Sequence, residues 1–307
     1  MVLVTDRYET IRSVLDRLRA QTVREQLEVV LVCPREDEFA GRAELDDFAA
    51  ARVIVGDPAS LGEARADGVR AASAPLVFIG ETHSFPHPGM AEELIRAHAD
   101  GWAQVVPGFG NANPHALTSW AGFLSDYGAW VPEIPAGEIR FAPGYNSSYR
   151  RSVLLEFGDR LGSALRGGDE LANGLRERNH QTLFAPAARI DHLNVSRISA
   201  WFRERFLAGR VIGEARARRW PWRLRLLYLF ATPLLPPLYL WRVRQGVAAS
   251  RRAGKMPAAA LPLLPVCALT KAAGEMSGYL HPRAETAHDP MVEFELHRSS
   301  YVSSGPR

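Results

Sequence analysis

Cysteine is nearly absent: Cys33 and Cys267 are the only two in 307 residues. That excludes a disulfide framework and a thiolate zinc cluster and favours a reducing compartment. Lysine is as scarce, since 35 of the 37 basic residues are arginine; this reads as genome bias, so only the placement of the charge carries meaning. No internal repeat is visible, and no uninterrupted apolar run reaches the about 20 residues of a straight membrane crossing. No cationic stretch followed by an apolar run and a small-residue cleavage site opens the chain, so no cleavable signal peptide is expected. What is there, 47% hydrophobic against 23% charged residues, suffices for one large or two ordinary domains and excludes disorder and collagen.

The charge is uneven. Residues 1–195 carry 19 Arg against 27 Asp and Glu, net −8, whereas residues 196–307 carry 18 Lys and Arg against 7 acids, net +11. The acidic part is expected to stay in the cytosol and the basic part to seek a different neighbour.

The first 110 residues alternate strand and helix signals, the pattern of a parallel sheet with crossover helices. Val2 to Val4 is a short β-prone run, Ile11, Val14, Leu15 and Leu18 recur at helical spacing, and Leu27 to Val32 is an apolar strand of the kind buried on both faces. Arg52 to Val55 and Leu76 to Ile79 read as further strands. Between them a helix is predicted over 60–72, with Ser60 as N-cap and Glu63 as its capping-box partner. Ligands of open α/β sheets bind beyond the carboxyl ends of the strands, so Thr5 to Glu9, Cys33 to Asp37 and Gly80 to His83 are expected to converge on one cleft. Farther on, the pattern predicts helices over 90–99 and 117–130 and a polar loop over 108–114. A turn leading into a helix is predicted over 144–151 and a helix interrupted at Gly167 and Gly168 over 161–178, and a strand over 182–185 with a tail over 190–194 closes the unit.

Several segments in this order resemble a family 2 glycosyltransferase, a nucleotide-sugar-dependent enzyme of GT-A fold: VLVTDRYETIRSVLDRLRAQT, LEVVLVCPRED, LGEARADGVRAASAPLVFIGETH, NSSYRRSVLLEFG and GGDELANGLRERNHQTLFAPAARIDH. The resemblance covers roughly residues 1–195. It implies an α/β, Rossmann-like, mostly parallel sheet with flanking helices, and a divalent cation, Mn²⁺ or Mg²⁺, against the diphosphate of the donor. The family's Asp-x-Asp turn reads Gly80-Glu81-Thr82-His83 here, so Glu81 and His83 take the metal positions, an oxygen and an imidazole better suited to Mn²⁺ than to Mg²⁺; the competing reading is a solvated turn. Arg65 stands where a family arginine meets the diphosphate, or is a plain helix arginine. Thr5, Asp6 and Glu9 are candidates for the base or ribose, although Glu9 can instead cap the following helix.

Inverting transfer needs a general base near the acceptor hydroxyl, and the resemblance implies Asp169 or Glu170, against the reading of ordinary acids at a helix N-terminus. His192 is either a further metal or phosphate contact or a packing residue at a strand end. Asn111 and Asn113, with Tyr145 and Asn146, offer amide and aromatic groups suited to sugar hydroxyls on the acceptor side, although a Gly-Asn loop also reads as a plain turn. His87, His98, His115 and His180 show no metal-ligand spacing and read as surface residues.

Residues 197–255 hold 14 basic and two acidic residues around an uncharged run from Leu226 to Trp241 that contains Pro233, Pro236 and Pro237. A second uncharged run covers Met256 to Thr270. Basic residues on both flanks and Trp220, Trp222 and Trp241 at the edges fit an interfacial or re-entrant hairpin on an anionic membrane, with a buried core element as the alternative. The expected organisation is a catalytic domain over 1–195, a helical membrane-associated region over 196–285 and a flexible tail over 286–307. The expected function is an inverting glycosyltransferase acting on a lipid-linked or polysaccharide acceptor at the cytoplasmic membrane face; the alternative is a catalytically degenerate scaffold in a surface-polysaccharide pathway. No nucleic-acid partner is expected, because the arginines surround aliphatic and Trp-rich runs and do not interleave with a polar reading surface.

Overall fold

The computed structural model describes residues 1–167, 169–283 and 290–303. Two compact units form: Met1–Gly110 with Pro135–Asp191, and Asn111–Ile134 with His192–Arg307. Gly168, 284–289 and 304–307, which the expected helix and C-terminal regions include, lie outside the described residues.

Among the described residues nine strands make one sheet: β1 (Val2–Val4), β2 (Glu28–Cys33), β3 (Ala50–Val55), β4 (Leu76–Ile79), β5 (Ser84–Pro86), β6 (Gln104–Asn111), β7 (Gly137–Ile139), β8 (Ser147–Arg150) and β9 (Thr182–His192). Their order is β3-β2-β1-β4-β8-β6-β9-β5, with β7 on β9. β1 pairs parallel with β2 and β4, and β2 with β3, while β8 runs antiparallel to both β4 and β6. The α/β Rossmann-like fold with flanking helices is therefore the one expected.

Alternation along the inner strands builds two cores. Val2 and Val30 face one side with Val69, Tyr149 and Leu161, whereas Leu3 and Leu31 face the other with Ile11, Val14, Leu15 and Leu18 of the helix Tyr8–Arg19. Covering both faces is why these strands are continuously apolar, and truncating Leu31 to alanine should cost about 2–5 kcal/mol. The helix Leu61–Ala71 lies so close to the sheet that a Cβ on Gly68 would fall 2.3 Å from Cγ1 of Val2.

Ser60 holds the N-cap position of that helix as expected, though without a side-chain capping bond; Asp57 caps the preceding 3₁₀ turn Pro58–Ser60, its Oδ1 accepting from the Ala59 amide at 2.9 Å. Two local expectations are corrected. The polar loop begins later than predicted, because β6 continues through buried Phe109 to Asn111. Ser147–Arg150, predicted as part of a turn and helix, is a strand, since the register Ile79↔Ser147 and Phe78↔Ser148 supplies through pairing what two serines do not supply through pattern.

The second unit is helical. Ile198–Arg219 crosses Leu263–Leu280 through Gly209, Gly213, Gly274 and Gly278; a Cβ on Gly209 would fall 1.8 Å from the Lys271 carbonyl oxygen, and one on Gly274 1.9 Å from that of Phe206. This crossing takes in part of the second uncharged run, burying Leu264, Cys267 and Ala268. Beside it Arg205, 2% exposed, holds Asp126 at 2.7 Å, with Lys271 at 3.3 Å from the same carboxylate. Burial alone would raise the Asp126 pKa, but the two cations outweigh it and hold the carboxyl far below its ordinary range.

The first uncharged run lies in a helical stretch of 31 residues, Trp222–Arg252, long and apolar enough to cross a membrane by length and composition. Its prolines do not break it. Pro233 occupies a single 3₁₀ turn, Thr232–Leu234, and Pro236 and Pro237 sit in the first turn of Leu235–Arg252, where a missing N–H leaves no intrahelical bond unmade. One face is buried through Thr232, Pro236, Val243, Gly246 and Ser250, whereas Leu227, Phe230, Leu234 and Trp241 are between 58% and 79% exposed. Within the expected tail, Met291–Leu296 is helical with Val292, Phe294 and Leu296 buried.

Candidate functional site

β1 and β4 are neighbours in the sheet, yet the chain visits β2 and β3, on the far side of β1, between them. Such a switch point opens a crevice beyond the carboxyl ends of the strands. Thr5 follows β1 there and Gly80-Glu81-Thr82-His83 follows β4.

Thr5 is fully buried; its amide donates to the Val32 oxygen at 2.9 Å and its hydroxyl to that of Arg7 at 2.9 Å. Asp6 accepts from Thr10 Oγ1 at 2.8 Å. Glu9 is exposed in the first turn of the helix Tyr8–Arg19, whose N-cap is Arg7 and not Glu9. The loops after β1 and β2 do meet, since the Tyr8 amide donates to Glu38 Oε1 at 3.0 Å.

Glu81 and His83 are 4% and 2% exposed. Glu81 Oε2 lies 3.3 Å from His83 Nε2 and accepts from Ser84 Oγ at 3.1 Å and from Asn146 Nδ2 at 2.5 Å. The carboxylate is thus oriented by the turn before β8, an element that the sequence pattern did not mark as a strand. Asn146, expected on the acceptor side, is fully buried against Glu81. Its neighbour Tyr145 lies under the Arg65 guanidinium, 4.8 Å from ring centroid to Cζ, and Arg65, 4% exposed, donates to the Leu165 oxygen at 3.2 Å. The adjacent pair Tyr145-Asn146 therefore links the cation candidate Arg65 to the carboxylate Glu81.

His192 is buried as the last residue of β9. The Glu81 and His83 side chains fit a metal ion by their chemistry: a carboxylate oxygen with an imidazole nitrogen suits Mn²⁺, Fe²⁺, Co²⁺ or Zn²⁺, and suits Mg²⁺, which prefers oxygen, less well. Spacing in the sequence marks these two, two residues apart at a strand end.

Asn111 and Asn113, expected to meet sugar hydroxyls, are turned toward Asn194. Asn113 donates to the Asn194 oxygen at 2.8 Å and accepts its amide at 2.9 Å, and Asn111 Oδ1 accepts from Asn194 Nδ2 at 3.0 Å. Asp169 is exposed at the N-cap of Glu170–Glu177 without a side-chain capping bond, and half-buried Glu170 accepts from Ser163 Oγ at 3.0 Å. Of the histidines read as surface residues, His98 is in fact 2% exposed, bonded to the Trp102 oxygen at 3.0 Å and Ser148 Oγ at 2.9 Å. His87 pairs with Asp191 at 3.0 Å, and strand alternation turns Asp191 to the opposite side of the sheet from His192.

No protein-family model matches the chain, and no curated protein matches it. Among solved structures it is similar to GalNAc-T7, crystallised with UDP, GalNAc and Mn²⁺, at 13% identity and TM-score 0.45, covering 62% of this chain and 43% of that one. It is also similar to TarS of S. aureus, at 10% identity and TM-score 0.47, covering 91% of this chain and 54% of that one. The chain thus spans about half the length of these two proteins. Likenesses at that level carry no weight by themselves; the fold is defined by the strand order and the site by its side chains.

Proposed function

We propose that the chain is a cation-assisted glycosyltransferase that moves a sugar, with inversion, from a nucleotide-diphosphate donor to a lipid-linked or polysaccharide acceptor at the cytoplasmic face of a membrane. The observation that carries this reading is the buried pair of Glu81 and His83 just past the carboxyl end of β4, at the switch point of the sheet. These two residues would hold the cation, which when bound offsets the negative charge that develops on a departing diphosphate. Arg65 adds a second positive charge beside Tyr145. Thr5, Asp6 and Glu9, after β1, would meet the base and ribose, and Asp169 or Glu170 would take the proton of the attacking hydroxyl.

Membrane association is supported by the exposed side of Trp222–Arg252. Leu227, Phe230, Leu234 and Trp241 face away from the unit's own packing, and arginines flank them at both ends. Because the other side is packed within the same unit, with Gly246 close enough that a Cβ would meet the Gly128 oxygen at 1.7 Å, we place the stretch along the surface and not across the bilayer.

A second reading, a GT-A-like binding or scaffold protein without turnover, is favoured by the depth of burial of Glu81, His83 and Arg65. A panel of nucleotide sugars in thermal unfolding with and without Mn²⁺ tests the site. At least one donor should raise the melting temperature only with Mn²⁺, as binding to the folded state requires, and Glu81→Gln and His83→Ala should each remove that increment. Turnover of the same donor then separates enzyme from scaffold, with Asp169→Asn and Glu170→Gln identifying the base. No metal-dependent donor, or equal responses in wild type and both variants, would overturn the reading.

A further inference from the structure

We propose that the first unit binds an uncharged single-chain amphiphile of medium length, for which a straight-chain alcohol is the simplest example, in an apolar cavity at the amino ends of β1, β2 and β4. These strands are parallel, so the cavity lies at the opposite end of the sheet from Glu81 and His83, and the inference does not rest on the cation site.

The cavity measures about 300 Å³ and lies between the sheet and the helices Tyr8–Arg19 and Met90–His98. Leu18 comes from the first helix, Met90, Ala91 and Leu94 from the second, and Phe78 and Ser148 from the paired strands β4 and β8. None of these six is more than 9% exposed, whereas Gln26, Pro75 and Ile95 stand exposed at the rim. Native cores leave few gaps larger than a water molecule, and a cavity of about 150 Å³ with apolar walls already holds benzene. Twice that volume takes a body of about eight to twelve carbons. Two of the lining residues, Met1 and Met90, have side chains that adapt to the conformers of a flexible chain.

The polar atoms of the wall select the head group. Glu28 Oε1 accepts from Ser73 Oγ at 2.9 Å and faces Arg52 Nε at 3.0 Å, while Oε2 accepts the Ser73 and Ala74 amides, each at 2.8 Å. Both oxygens are thereby taken: a cationic head finds the carboxylate already paired, and an anionic head meets it as a like charge. Ser148 is committed as well. The Trp102 oxygen, 3.0 Å from His98 Nδ1, can only accept, so Nδ1 carries the hydrogen and Nε2 accepts the Ser148 hydroxyl at 2.9 Å. A sugar or a phosphate would lose its hydration here without replacement. At the rim Gln26 presents a neutral carboxamide, donor and acceptor together, which matches a hydroxyl head.

The test titrates the full chain with 1-octanol, octanoate and octylamine by calorimetry, with thermal unfolding as a second readout. Octanol should saturate one site per chain and raise the melting temperature, and each charged homologue should bind at least about tenfold more weakly. The His98 Nε2 resonance, one hydrogen bond behind the wall, should move as octanol binds. Ala91→Leu fills part of the cavity and should weaken octanol about tenfold; should it fail to fold, Ile95→Glu, which charges the exposed rim, should do the same. Gln26→Ala should cost about 2- to 10-fold. The absence of a saturable octanol site, or wild-type affinity in a folded Ala91→Leu or in Ile95→Glu, overturns the proposal. A charged homologue that binds as tightly as octanol overturns the neutral head.

Discussion

Asn146 donates its side-chain amide to Glu81 Oε2 across 2.5 Å from a left-handed backbone, with φ at +52°. Asparagine is among the few side chains that tolerate this conformation. Residue type, backbone and hydrogen bond therefore act together, and the geometry of the cluster depends on a residue far from Glu81 in the sequence.

Replacing Asn146 separates the two contributions. Asn146→Ala should weaken Mn²⁺ binding about tenfold and lower stability by about 1–3 kcal/mol, since a buried carboxylate loses a donor. Asn146→Gly relieves the backbone but not the lost donor, so it should recover part of the stability and none of the affinity. Calorimetric Mn²⁺ titration decides: a glycine variant that binds like wild type means Glu81 does not need Asn146.

The glycine crossing of Ile198–Arg219 with Leu263–Leu280 makes a stability prediction. Gly274→Ala forces a methyl to within 1.9 Å of the Phe206 oxygen, so urea unfolding should show a loss of about 1–3 kcal/mol or more. Gly137→Ala, with nothing within 4 Å of its Cβ, serves as the neutral control. Equal midpoints in the two variants would mean that the helices are not held at this distance.

Membrane association should follow the exposed face of Trp222–Arg252. The full chain should sediment with anionic vesicles, each nearby basic residue adding about 1 kcal/mol before screening, and replacing Leu227, Phe230 and Trp241 together with serine should release it. Cysteines introduced at Arg219 and Arg244 should be labelled from the same side of a vesicle. Labelling from opposite sides would make the stretch a true crossing.

His98 gives a pH dependence of defined sign. Burial, reinforced by the Arg150 charge, pushes its imidazole below the ordinary value of 6.5. Below about pH 6.5 the unfolded chain therefore takes up a proton that the folded chain refuses, and stability should fall as pH drops from there toward the folded value. His98→Gln should flatten the urea midpoint between pH 7 and 5 relative to wild type. Parallel curves would assign the slope to other groups.

Local pattern made several of these features legible. Strands buried on both faces must be apolar throughout, so Leu27 to Val32 announced β2 within one residue, and the spacing of Ile11, Val14, Leu15 and Leu18 announced the helix over them. Glu81 and His83 could be selected as a pair because two residues at one strand end share a side of the turn. Ser147–Arg150 and the role of Asn146 could not be read this way, since both are made by partners distant in sequence.

Local residues alone set β1 to β4 and the helices Tyr8–Arg19 and Leu61–Ala71, where the acidic and basic charge lies, and that a polar strand end carries a carboxylate and an imidazole, because each of these depends on residues within a turn or a strand of one another. Long-range packing decided that Asn146 reaches Glu81, that Asn111 and Asn113 serve Asn194, and that Gly209 and Gly213 meet Gly274 and Gly278. Those arrangements depend on the lateral order of strands and on helix crossings. Main-chain hydrogen bonding and close packing set that order between segments whose local sequences carry no record of one another.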